Sequence, residues 1–104
     1  MALEKLFLNR LESALSYELS GDLLRIDTTN PPGNEAACIQ YIQSLLTACG
    51  IESQLYEKVT GRPNLIARIK GSGNAAPLLL YGHVDVVTTA NQQWTHPPFA
   101  AVES

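Results

Sequence analysis

The sequence predicts an α/β fold: two N-terminal helices, a β-hairpin and a buried central strand. Three observations predict it. Apolar residues recur at helical spacing from Leu3 to Leu24 and again from Ala36 to Cys49. Two short stretches, Ile51 to Lys58 and Asn64 to Lys70, flank a turn rich in glycine and proline. Finally, Leu78, Leu79, Leu80 and Tyr81 form an unbroken apolar run after Pro77. Such a run suits a strand covered on both faces of a sheet better than an amphipathic surface strand.

The first helix is expected from about Leu3 to Leu24. Leu3, Phe7, Leu11, Leu15, Leu19 and Leu23 make its stripe, widened by Leu6 and Ala14, with Glu4, Glu12 and Glu18 off it. Core packing explains that stripe without further function. Arg25 to Glu35, RIDTTNPPGNE, is a loop stiffened by two prolines. Asn34 is the expected N-cap of the second helix, and Glu35 falls in the first turn, where the helix dipole favours negative charge. Ala36, Ala37, Ile39, Ile42, Leu45, Leu46 and Cys49 supply the buried face, and Gly50 stands in the C′ place. Cys38 and Cys49, eleven positions apart on one helix, lie roughly 16 Å apart along its axis. That is too far for a disulfide, so both are expected as free, buried thiols, which suits a cytoplasmic location.

Ile51 to Lys58 loosely alternates and reads as an edge strand. Val59 to Pro63 turns the chain, and Asn64 to Lys70 returns it with Leu65, Ala67 and Ile69 facing one way. Gly71 to Ala76, GSGNAA, superficially suggests a phosphate-binding loop. That motif needs a helix after it, whereas here a strand is expected, so it reads as a turn. Beyond the central strand, Trp94, Pro97, Pro98 and Phe99 make a rigid aromatic loop. His96 sits among them and is not assigned to a site.

Composition narrows the function. The 104 residues suffice for one small domain, with a net charge of −3 and seven scattered Lys and Arg. No basic stripe suggests a nucleic-acid partner. No apolar run approaches a membrane span, and charges at Glu4, Lys5, Arg10 and Glu12 argue against a signal peptide.

The chemistry concentrates at His83 and Asp85. They follow the apolar run and Gly82, where ligands sit at the carboxyl ends of strands in open α/β sheets. Two residues apart on an extended chain, they point the same way. A carboxylate beside an imidazole fixes the tautomer and aims the other ring nitrogen outward. Metal-binding histidines are supported in this way, and so is a general base. A structural His–Asp pair is the plain alternative.

RIDTTNPPGNE, GRPNLIARIKG, LLLYGHVDVV and WTHPPF occur in that order over most of the chain. Together they resemble the N-terminal part of the zinc metallopeptidase and amidohydrolase family. That family includes acetylornithine deacetylase, succinyl-diaminopimelate desuccinylase, aminoacylase-1 and related carboxypeptidases and dipeptidases. The resemblance implies the first, incomplete part of a zinc-peptidase-like α/β catalytic domain spanning 1–104, without the rest of that domain or its inserted lid and dimerisation domain. It implies two Zn2+ per active site, or Co2+ or Mn2+ in their place, and hydrolysis of an amide or peptide bond next to a free carboxylate by metal-activated water. His83 would be a metal ligand and Asp85 a catalytic residue holding it from behind. The substrate would be a small peptide or N-acyl amino acid, and the parent protein a homodimer.

Two departures stand out. Thr88 replaces the proline usual after HVDVV in the family. After Asp85 only His96 and Glu103 could supply further ligands, and zinc sites use three or four. The chain is therefore expected to be inactive alone, and marginally stable or prone to associate through an unpaired sheet edge. The other reading is a non-catalytic α/β binding or assembly module.

Overall fold

The computed structural model describes residue 12 and residues 15–103. They fall into two compact units, one running from Asp27 to Thr88 and the other made from residues on either side of it. Residues 15–24 are helical (α1). The remaining stripe positions expected for this helix, Leu3, Leu6, Phe7, Leu11 and Ala14, lie outside the described residues. Leu19 and Leu23 are half-buried, while Leu15 is exposed. The helix ends in a turn where the Arg25 amide donates to the Gly21 carbonyl at 3.2 Å and the Arg25 guanidinium pairs with Asp22. In the C-terminal part of the same unit, the Trp94 indole donates to the Thr89 carbonyl at 3.3 Å and a turn closes from Pro97 to Ala100.

The unit from Asp27 to Thr88 holds one helix and one hairpin. Helix α2 spans Ala36–Ala48, strand β1 Ser53–Tyr56 and strand β2 Asn64–Ala67. The strands are antiparallel, with Ser53 opposite Ala67 and Tyr56 opposite Asn64. A two-stranded hairpin is marginal alone; here α2 packs against both strands. The turn expected at Val59–Pro63 is present. Arg62 N–H donates to the Val59 carbonyl at 3.0 Å, and Gly61 takes φ +81°, the left-handed backbone that glycine adopts without steric penalty. The Glu57 carboxylate accepts the Gly61 amide at 2.6 Å and ties the loop to the end of β1.

At its C-terminus α2 behaves as expected. Gly50, at φ +72°, donates to Thr47 and Ile51 donates to Leu46, which together satisfy two of the last carbonyls. Its N-terminus differs. Asn34 is not the cap; Glu35 occupies that position and makes no side-chain cap bond. The turn of the hairpin does the work instead, because the Gly61 carbonyl accepts the Ala36 amide at 3.1 Å. Glu35 is thereby released for another partner. Cys38 and Ile39 form the buried centre of the helix face, and Cys38 is a free, buried thiol as expected. Cys49 is free but exposed, standing at the C-terminal end of the helix.

The largest correction concerns the central strand. Leu78, Leu79, Leu80 and Tyr81 are not part of a sheet, and they are 83%, 81%, 82% and 94% exposed. Burial on both faces requires flanking strands and covering helices. Among the described residues the sheet has two strands, and neither pairs with 78–81. The apolar pattern of a buried strand is present without its neighbours. Further along, the segment does find a partner: Val86 and Thr29 form an isolated parallel bridge. Gly71 to Ala76 is an exposed turn with no helix after it, Gly73 taking φ +83°.

Candidate functional site

The site is built from three segments of the Asp27–Thr88 unit. The first is the loop Asp27–Gly33. The Asp27 carboxylate accepts both the Thr29 amide (2.9 Å) and the Thr29 hydroxyl (2.5 Å), which holds its ionised form well within reach and pulls its pKa down. This bend lays 28–30 alongside 84–86. Asn30 N–H donates to the Val86 carbonyl at 2.8 Å, Val86 N–H to the Thr28 carbonyl at 3.2 Å, and the buried Thr28 hydroxyl to the Val84 carbonyl at 2.5 Å. The backbone on both sides of Asp85 is therefore pinned.

His83 and Asp85 meet as their spacing predicts. The His83 ring atom Nδ1 lies 2.7 Å from Asp85 Oδ1 and 3.1 Å from the Asp85 carbonyl oxygen. An ionised carboxylate only accepts, so Nδ1 is the donor, and in the neutral ring the lone pair then stands on Nε2. The imidazole side chain is 84% exposed, whereas Asp85 is 29% exposed. The pair is thus a supported carboxylate with an open ring in front of it.

Residues that sequence reasoning left as caps and turns complete the arrangement. Asn30 Nδ2 donates to Asp85 Oδ2 at 2.9 Å. Arg62, from the hairpin turn, places a guanidinium nitrogen 3.8 Å from the same oxygen. That guanidinium is clamped by Glu35, with Nε 3.1 Å from both carboxylate oxygens and the terminal nitrogen 2.7 Å from Oε1. Gly33 makes the approach possible. At φ +79°, a Cβ built there would lie 2.6 Å from Arg62 Nε.

The electrostatics follow the contacts. The Asn30 hydrogen bond and then that of His83 hold the Asp85 carboxyl below its usual value. Arg62 does the same for the buried Glu35, and Glu35 in turn raises Arg62. His83, Asp85, Arg62 and Glu35 border one groove of about 510 Å³. A larger groove of about 730 Å³ between the end of α2 and the hairpin brings no comparable polar cluster together.

Whether the residues suit a metal depends on donor atoms. His83 Nε2 is aimed outward and fits one ligand position of a zinc ion. Asp85 has committed both oxygens and fits the supporting role behind the ring. Among the described residues, no three His, Cys, Asp or Glu side chains come together as a metal site. His96, left out of the site on sequence grounds, belongs to the other unit. Also among the described residues, no helix is long and apolar enough to cross a membrane.

Comparison with known proteins gives the family. No family model and no solved structure matches the chain. Curated relatives do. A probable succinyl-diaminopimelate desuccinylase of Staphylococcus aureus (strain Mu50) is 36% identical over 88 residues, covering 83% of this chain and 21% of that protein. The Staphylococcus epidermidis (strain RP62A) protein of the same name is 36% identical over 83 residues, or 78% of this chain and 19% of that one. An N-formyl-4-amino-5-aminomethyl-2-methylpyrimidine deformylase of Bacillus subtilis (strain 168) is 30% identical over 90 residues, again 83% of this chain and 21% of the relative. The chain spans about a fifth of the length of each. Both names are those of deacylating hydrolases, and the chain belongs to the peptidase/deacylase family that contains these desuccinylases.

Proposed function

We propose that these residues are part of the catalytic domain of a metal-dependent peptidase or deacylase, which hydrolyses an amide or peptide bond next to a free carboxylate. The observation that carries this reading is the 2.7 Å contact of His83 Nδ1 with Asp85, which leaves Nε2 as the free donor atom of an exposed ring. Relatives named for desuccinylation and deformylation support the reaction class. Because the chain spans a fifth of those relatives, the other ligands and the general base are assigned to a longer protein that contains it.

In this reading His83 binds one ion of a zinc pair, with Co2+ or Mn2+ as substitutes. The chemistry that such a pair supplies when bound is Lewis-acid polarisation of the scissile carbonyl and activation of water at neutral pH. The residues of this chain serve that chemistry by orientation. Asp85 fixes the tautomer of His83 and favours electron density at Nε2. Asn30 holds Asp85 from behind, and the Glu35–Arg62 clamp lies beside it and borders the groove. The substrate is a small peptide or an N-acyl amino acid.

The test is His83→Ala in the longer protein, assayed on N-succinyl and N-formyl amines with and without added Zn2+. Metal-dependent turnover is expected to vanish, and turnover equal to the parent's would refute the assignment. Asp85→Asn should retain a small fraction of activity and weaken metal binding about 10- to 100-fold, as expected for a residue that acts through the ligand.

A further inference from the structure

A carboxylate that supports an imidazole must be held in plane as well as in place. The terminal torsion of aspartate is broad and roughly two-fold. One hydrogen bond at Oδ1 therefore leaves the group free to turn and present the ring with a poor angle. In this chain the second oxygen is also held, by Asn30 Nδ2 at 2.9 Å and by the Arg62 guanidinium at 3.8 Å. We propose that Asn30 is the positioning residue of the His83–Asp85 pair, fixing the plane of the carboxylate and through it the tautomer of the imidazole, with Arg62 as a second support. The inference deepens the proposed function, since it takes Nε2 of His83 as the atom that faces the metal.

The geometry gives Asn30 this role for a physical reason. Its own backbone amide donates to Val86, one residue beyond Asp85, and Val86 donates back to Thr28. The distance from the Asn30 side chain to Asp85 is thus set by a backbone pairing and not by a flexible stem. Because the carboxylate can only accept, the amide must turn its nitrogen towards Oδ2, which fixes the Asn30 side chain as well. Arg62 is held by the Glu35 fork and by the close approach over Gly33. Its separation from Asp85 makes its contribution one of charge, and Asn30 supplies the directional bond.

The test reads the ring directly. Long-range 1H–15N correlation spectra of the metal-free 104-residue chain, taken where the imidazole is neutral, report which nitrogen of His83 carries the proton. The parent chain is expected in the Nδ1–H form. Asn30→Ala, and Asn30→Leu as a near-equal-volume variant that keeps the loop filled, should both shift His83 towards the Nε2–H form. Neither change touches the backbone bonds of residue 30. In the longer protein the same substitutions should weaken Zn2+ binding about tenfold. Retention of the Nδ1–H form, or unchanged Zn2+ affinity, in either folded variant would overturn the inference and leave Asn30 as a loop fastener. The ring state is read without metal or substrate, so its failure is separate from any loss of the hydrolase reading.

Discussion

Within the Asp27–Thr88 unit, the surroundings of Arg62 and the stretch Leu78–Tyr81 are opposites. Around Arg62, polar groups from three segments satisfy one another, and Glu35 is buried despite its charge. Along Leu78–Tyr81, four large apolar side chains are almost fully exposed. Burying one leucine stabilises a fold by about 1.5–3 kcal/mol, and none of that is realised here. Directional bonds between two loops and a helix end can close within a short stretch of chain. Burial of a central strand needs a whole sheet. The polar cluster is therefore built in these residues and the burial of Leu78–Tyr81 is not.

The largest effect should come from the ground beneath the cluster. Ile39 is one of the two buried apolar residues of α2, and it also borders the site groove. Ile39→Ala should lower stability by about 2–4 kcal/mol, read by urea denaturation with circular dichroism. A variant that denatures with the parent would remove the packed half of the contrast.

A smaller effect separates the cluster by charge. Arg62 holds the Glu35 carboxyl below its usual value, and Asn30 and His83 do so for Asp85. A carboxylate depressed in the folded state adds stability above its unfolded pKa and loses it as pH falls through the folded one. Melting temperature should therefore drop as pH is lowered from neutral to about 3, and Glu35→Gln should flatten that slope. An unchanged slope in the variant would mean that the clamp does not couple to folding.

The smallest effect belongs to the bare stretch. Leu79→Ser should change stability by less than about 0.5 kcal/mol, while analytical ultracentrifugation shows reduced self-association. A substantial loss of stability would show that this segment is covered in solution and would erase the comparison.

Much of this was legible in the sequence, for identifiable reasons. Helix α2, its Gly50 terminus and the turn at Gly61 depend on local spacing and on the backbone freedom of glycine, both readable from a few residues. The meeting of His83 and Asp85 depends only on alternation along an extended segment. The partners of Asp85 were not readable in this way. Asn30 lies 55 positions before it in the chain, and Arg62 is joined to Glu35 across 27. The signal available was that polar residues next to prolines recur in both NPPGNE and GRPN, the segments that carry the family resemblance. Asn34 was expected as the cap because its type favours that position, yet a carbonyl from the hairpin turn took the Ala36 amide first. Leu78–Tyr81 carried the pattern of a buried strand, but burial is a property of neighbours and not of the run itself.

The bridge between Thr29 and Val86 also bears on how the chain folds. Helix α2 and the hairpin join residues close in sequence, so their loops close at small entropic cost, whereas the bridge closes a loop that contains both of them. Contacts that close larger loops carry the greater ordering cost. The pairing that brings Asn30 to Asp85 carries that cost, whereas the His83–Asp85 contact itself is local. Separation of 28–30 from 84–86 would free the second oxygen of Asp85 without breaking a hydrogen bond of α2 or the hairpin.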